Sequence, residues 1–294
     1  MNKIIDPHLH FFDRTRGHYQ WLKEGYPPFW PDKAKIRHDF HENALTLKQK
    51  STLAGFVHIE AGFDNTRPWR EIAWLESSCS LPFKAVAGID LTLNENDFVL
   101  QLTQLRQYHC VIGCRHILDD QAYKILSQKQ VQNNLAHLAN NHLSFDLQMS
   151  LSDKPAVNLF IQILQTLPSL KVIINHAGWP PITSTETHTQ TQESTWQQWQ
   201  SSLEALSAFK HCAIKCSGWE MVDRQYKNQW QFDIITQCIQ SFGVKRVMLA
   251  SNFPLVLFTQ KYHELWEHYL TLNLPKAQIA ALTCTNAAHW YKFN

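Results

Sequence analysis

Residues two apart on a β-strand share a face, so Asp6, His8 and His10 project together if the opening segment is extended, with His10 nearest the rim. A His-x-His pair can place two neutral imidazoles on one divalent ion, because ring nitrogens suit zinc and similar metals. The spacing alone carries little weight, since sixteen histidines produce such pairs by chance. A second element is the apolar run Val172-Ile173-Ile174, which breaks into Asn175-His176-Ala177-Gly178. A histidine on a buried strand is more often a satisfied core residue than a ligand. His176 becomes a candidate because it ends its strand at the same rim as His8 and His10, and agreement between two strands outweighs either motif alone. Three imidazoles there would form a nitrogen site for zinc or manganese; without a metal they could polarise a carbonyl directly.

Elements that bring such residues to one rim recur along the chain. Eight short segments rich in β-branched or apolar residues are each followed by a stretch of helical spacing, which is the pattern of repeated βα units. The strands are read as 4–10, 54–60, 85–91, 111–117, 143–149, 172–177, 213–217 and 246–251. Helical stretches are read at 40–50, 69–79, 95–108, 130–140, 155–167, 196–209, 230–242 and 262–270, with a final helix at 276–291. An open doubly wound sheet would show a Gly-rich phosphate turn near its first strand, and no GxGxxG or P-loop occurs. A single (β/α)8 barrel over 1–294 is therefore expected, with its chemistry at the C-terminal ends of the strands. Two long connections interrupt the pattern. The loop from Phe12 to Asp39 is aromatic and proline-rich and reads as a semi-rigid pocket wall; the polar stretch Thr183 to Gln190 reads as simply flexible.

Composition excludes several other classes. The 27 basic and 25 acidic residues give a net charge of +2 and are scattered, so no nucleic-acid footprint is present. No uninterrupted apolar run approaches membrane-spanning length. The sequence passes from Met1-Asn2-Lys3 straight into Ile4-Ile5 without the pattern of a signal peptide, so a cytoplasmic protein is expected. Seven cysteines without framework spacing are read as reduced; the pairs Cys110/Cys114 and Cys212/Cys216 fall on strand segments rather than on knuckle turns.

The strand ends, in order, resemble the lactonase branch of the amidohydrolase superfamily, which includes fuconolactonase and 2-pyrone-4,6-dicarboxylate lactonase. The similarity runs over nearly the whole chain. It rests on Asp6-Pro7-His8-Leu9-His10-Phe11-Phe12-Asp13, Gly55-Phe56-Val57-His58-Ile59-Glu60-Ala61, Gly113-Cys114-Arg115-His116 and Phe145-Asp146-Leu147-Gln148. Asn175-His176-Ala177-Gly178-Trp179-Pro180, Lys215-Cys216-Ser217-Gly218 and Met248-Leu249-Ala250-Ser251-Asn252-Phe253-Pro254 complete it. The resemblance implies attack of water on a lactone carbonyl, with an aspartate after strand eight accepting the water's proton. Metal dependence varies within the branch, so the resemblance leaves the ion open. Here the aspartate's position is Asn252, and an amide cannot act as a base near neutral pH.

Glu60 is the first candidate to replace that base, followed by His116 and Asp90; the competing reading of Glu60 is a structural partner for His58 or a loop amide. Arg115 and Lys215 could pair with a substrate carboxylate, and Gln148 and His116 could donate to hydroxyls or to the carbonyl. A structural ion pair with Asp90 or Glu60 is the competing reading of Arg115. Trp30, Trp179 and Trp219 could wall a sugar-like ring, with core packing as the alternative for each. The leading expectation is a hydrolase opening a small sugar-derived or aromatic-catabolic lactone. Its rivals are a non-catalytic barrel that binds a related ligand and a decarboxylase or C–C hydrolase of an aromatic acid.

Overall fold

A computed structural model describes residues 1–48, 50–182 and 190–293. Eight strands lie in sequence order in one sheet: β1 Asn2–Leu9, β2 Ser51–Ile59, β3 Phe83–Gly88, β4 Val111–Arg115, β5 Ser144–Leu147, β6 Val172–Ile174, β7 Cys212–Cys216 and β8 Val247–Leu249. Every neighbouring pair from β1 to β8 is parallel. The first and last strands meet at the rim through a parallel bridge between Leu9 and Phe253, with Asn252 N–H donating to His8 O at 2.9 Å. The arrangement is the expected (β/α)8 barrel, and each of the eight strands falls on its predicted segment.

The outer layer contains α1 Trp69–Ser78, α2 Glu95–Leu105, α3 Ala122–Leu126, α4 Lys129–Asn140, α5 Lys154–Thr166, α6 Gln190–Ser207, α7 Trp219–Val222, α8 Asn228–Phe242 and α9 Tyr262–Leu270. Local chemistry explains their starts. Asn94 accepts from Asp97 N–H at the head of α2, and Asp153 accepts from Ala156 N–H at the head of α5, where Pro155 fits the first turn. Helix α5 then buries Ala156, Val157, Phe160, Ile163 and Leu164, the i, i+3, i+4 stripe that faces the sheet.

Strand alternation divides the core in two. Cys212, Ile214 and Cys216 belong to the large cluster under the helices, while Ala213 joins Ile5, Val57, Ile59, Val86, Ile173 and Met248 in a second cluster. The second cluster is completed by Ala287, Trp290 and Tyr291 from the C-terminal segment. That segment departs from the continuous helix expected at 276–291. It runs as α10 Lys276–Ala280, a wide π-turn Ala281–Thr285 and α11 Asn286–Trp290, with Asn286 Nδ2 donating to Val244 O and Val247 O.

The helix expected at 40–50 does not form either. Phe40 is held extended by reciprocal backbone bonds with Phe12, at 3.0 and 3.1 Å, and only the turn Glu42–Ala44 follows. Glu42 then spends its carboxylate on Ser80 and Leu81 across the fold. Of the second long loop, the stretch Thr183 to Thr189 lies outside the described residues. Among the described residues no helix is long and apolar enough to cross a membrane.

Candidate active site

The C-terminal rim holds a cavity of about 540 Å³. His10 and His176 line it with Glu60, Arg115, Gln148 and Asn252, and Trp21, Trp30 and Trp179 supply much of its apolar wall. The long first loop contributes Trp21, Pro27, Pro28 and Trp30, so the expected aromatic wall is present. Tryptophan Trp219 is the exception among the predicted wall residues. It is 1% exposed, donates from Nε1 to Tyr269 Oη at 2.7 Å, and packs in the core away from the cavity.

His8, His10 and His176 do gather, with His8 ring centroids 5.1 Å from His10 and 4.6 Å from His176. They are not equivalent. His8 is fully buried and does not line the cavity, whereas His10 and His176 do. Strict alternation from Asp6 to His10 also fails, because the register between β1 and β2 slips between Asp6 and Leu9. Asp6 accordingly bonds to Ser251, through both its hydroxyl and its backbone N–H, instead of to an imidazole.

Each imidazole is oriented by a different neighbour. His10 Nδ1 lies 2.8 Å from Ile59 O, and a carbonyl can only accept, so the proton sits on Nδ1 and Nε2 carries the lone pair. His176 Nδ1 lies 3.1 Å from Ser217 Oγ. Gly218 makes room for that contact: its φ is 70°, and a Cβ there would fall 2.5 Å from His176 Nδ1. His8 Nδ1 faces Lys215 Nζ at 3.4 Å, and its Nε2 has no partner among the described residues. Burial lowers the pKa of all three well below the usual imidazole value, and the nearby Lys215 and Arg115 cations push the same way. The rings are therefore neutral at neutral pH.

This donor set does not fit a divalent ion as it stands. With an ammonium on its Nδ1, neutral His8 carries its proton on Nε2 and has no lone pair to offer inward. Among the described residues no group of three or more His, Cys, Asp or Glu side chains could hold a metal ion, so the expected three-imidazole site for zinc or manganese is not formed.

The structure also commits the two basic residues. Lys215 lies unexposed beneath His8, donates to Asp146 Oδ2 at 2.6 Å and sits 5.2 Å over the Tyr291 ring. It is thus a buried structural cation, not a substrate ligand, and burial lowers its pKa to about 8. Arg115 reaches the cavity but is ion-paired to Glu60 Oε1 at 2.8 Å, donates to Glu60 O at 2.8 Å, and meets Gln148 Oε1 at 2.8 Å. His116 turns away. It lines a second chamber of about 280 Å³ with Asp64 and Asp90, and its Nδ1 lies 3.2 Å from both Leu91 N and Ile89 O.

Two carboxyl groups escaped the sequence reading. Asp119 lines the cavity within 3.4 Å of Gln148 Nε2, in a turn where its φ is 35°. Glu220 is 1% exposed and accepts from Asn252 Nδ2 at 2.6 Å. The available signal was positional: each lies three to four residues beyond a motif at a strand end, Arg115-His116 and Cys216-Ser217.

The amidohydrolase family model matches residues 5–293, and the chain belongs to that family. An uncharacterized protein, y4mH, of Sinorhizobium fredii is 27% identical over 98% of both chains. An L-fucono-1,5-lactonase of Burkholderia multivorans is 25% identical over 98% of this chain and 95% of its own. A crystal structure of an amidohydrolase from Burkholderia multivorans superposes over 99% of both chains with a TM-score of 0.79 at 19% identity, which shows the shared fold; a form of that amidohydrolase with bound zinc gives 0.77 at 21%.

Proposed function

We propose that this amidohydrolase opens a small, uncharged, polyhydroxylated lactone by attack of water on the ring carbonyl. The observation that carries the reading is the fixed tautomer of His10, whose Nε2 lone pair is left over at the wall of a cavity that Glu60, Arg115 and Gln148 also line. In this scheme His10 Nε2 takes a proton as the water oxygen bonds to the carbonyl carbon. His176 donates from Nε2 to the carbonyl oxygen while Ser217 satisfies Nδ1. The ring C–O bond then breaks and the leaving alkoxide recovers the proton from His10. A positioned imidazole of this kind contributes roughly 10²- to 10⁴-fold. No step runs through a metal.

Charge supports an uncharged substrate. Among the described residues Arg115 is the one cation lining the cavity, and Glu60 already takes it, while Asp119 adds a further carboxyl group. A ligand carboxylate would have to displace Glu60, whereas hydroxyl donors find acceptors at Glu60 and Asp119 beside flat aromatic walls. The L-fucono-1,5-lactonase relative points to the same class. Glu60, the base expected from sequence, is here the group that holds Arg115.

A panel of aldonolactones and carboxylated aromatic lactones, followed with a pH indicator, tests the reading. Turnover of the neutral sugar lactones in preference to the carboxylated ones is expected, with loss of turnover in His10→Asn. Tight binding without proton release on any lactone would overturn it in favour of a non-catalytic barrel.

A further inference from the structure

Asn252 sits at the cavity wall in a left-handed backbone conformation, φ 56°, fixed by its N–H on His8 O. Its side chain has two ends with different fates. Nδ2 donates to Glu220 Oε1 at 2.6 Å, and Oδ1 is buried with no partner among the described residues. Glu220 itself is 1% exposed and does not line the cavity. It stands on α7, directly after the Gly218 turn that lets His176 through.

A carboxylate so deeply buried normally has a cation against it. Arg224 is the cation at hand, yet its guanidinium goes to Asp32 at 2.9 Å and to the backbone oxygen of Glu220. The remaining titratable groups that bear on Glu220 are Tyr226 and Tyr269, both neutral phenols. What the Glu220 side chain holds is the amide of Asn252. Once ionised, above the value of about 7 to which burial raises it, the Glu220 carboxylate can only accept, and it then imposes one orientation on that amide: Nδ2 toward Glu220 and Oδ1 away from it.

We infer that Glu220 is a positioning residue which fixes Asn252 with its unpartnered oxygen turned away from Glu220 just behind the cavity wall, making residue 252 an oriented acceptor that does not ionise. That oxygen is covered in this structure, so its partner would be an attacking water or a substrate hydroxyl that reaches it as the surrounding side chains give way on substrate binding. The inference rests on the proposed lactone chemistry for its kinetic consequences, but not for the pair itself.

Three isosteric variants test it: Glu220→Gln, Asn252→Asp and the double exchange. Glu220→Gln offers Asn252 either an oxygen or an amide, so the orientation is no longer imposed, and kcat falls about tenfold with KM little changed. Asn252→Asp sets two buried carboxyl groups 2.6 Å apart, where both cannot ionise. It lowers Tm and adds an ionisation to the pH–rate profile. The double exchange places an amide donor opposite a carboxylate again, and it recovers Tm and removes the extra ionisation. Effects of the single changes that merely add in the double variant, or an Asn252→Asp protein with unchanged Tm and pH profile, would overturn the pairing. If wild type turns over no lactone, the Tm cycle still decides whether Glu220 and Asn252 are coupled, while the failure of the panel falls on the proposed activity alone.

Discussion

Lys215 and Asp146 meet at 2.6 Å in the interior of the barrel, neither of them exposed, and the same ammonium lies 3.4 Å from His8 Nδ1. Strand β7 presents the cation and β5 the anion, so the pair ties two strands together under the imidazoles. Tyr291 closes the arrangement from the C-terminal segment, with its hydroxyl 3.3 Å from Asp146 Oδ2.

Removing one partner leaves the other as an uncompensated buried charge, which costs about 3–5 kcal/mol. Lys215→Met is therefore expected to destabilise strongly, and Asp146→Asn likewise. The double variant Lys215→Met/Asp146→Asn should lose less than the sum. Denaturant titration of the three proteins checks this; additive losses would mean that the two groups do not depend on each other.

His10 and Glu60 separate in kinetics. His10→Asn removes the lone pair assigned to water activation, and kcat is expected to fall by 10²-fold or more with KM nearly constant. Glu60→Gln keeps a carbonyl oxygen for Arg115 but removes the charge, so its expected main effect is on KM. Steady-state kinetics on one turned-over lactone distinguishes the two. A kcat loss confined to Glu60→Gln would return the base to residue 60.

Metal removal gives a separate check. His8 has an ammonium on Nδ1, and among the described residues no three-ligand set exists. Extensive dialysis against a chelator is expected to leave the rate within about twofold, about 0.4 kcal/mol on the scale where tenfold is 1.4 kcal/mol. A rate lost on chelation and restored by zinc would show that the three imidazoles regroup around an ion.

The barrel was legible because its signal is periodic: eight β-branched runs separated by helical stripes survive in any one sequence. The rim was legible only as far as strand direction reaches. His10, His176, Arg115 and Gln148 end strands and do converge on the cavity. Pairing was not legible, because it depends on neighbours hundreds of residues away, as between His8 and Lys215, or across the barrel, as between Lys215 and Asp146. Nor was the one-residue slip in β1, which sends Asp6 to Ser251. Glu220 escaped for a related reason: a glutamate on a four-residue helix reads as a solvated charge until Asn252 is seen against it.

Glu220 also shapes stability. Burial raises its pKa to about 7, against an ordinary 4.5, so the folded protein holds a proton there that the unfolded chain releases. The stability tied to that proton is fully present below about pH 4.5 and is lost as pH rises through 7. Asp6, raised to about 6 by burial, behaves the same way over a lower window. The three imidazoles oppose both, since their lowered values make the folded state resist protonation below about 6.5. Wild-type stability alone would blur these contributions, but Glu220→Gln isolates one of them. At pH 8 the variant avoids the cost of an ionised buried carboxylate, on the order of 3 kcal/mol for a shift from 4.5 to about 7, and its Tm should exceed that of wild type. Near pH 5, where Glu220 is protonated in the folded state, the gain should largely disappear. Calorimetry across pH 5–8 measures it, and a difference in Tm that does not change with pH would show that Glu220 does not titrate in this range.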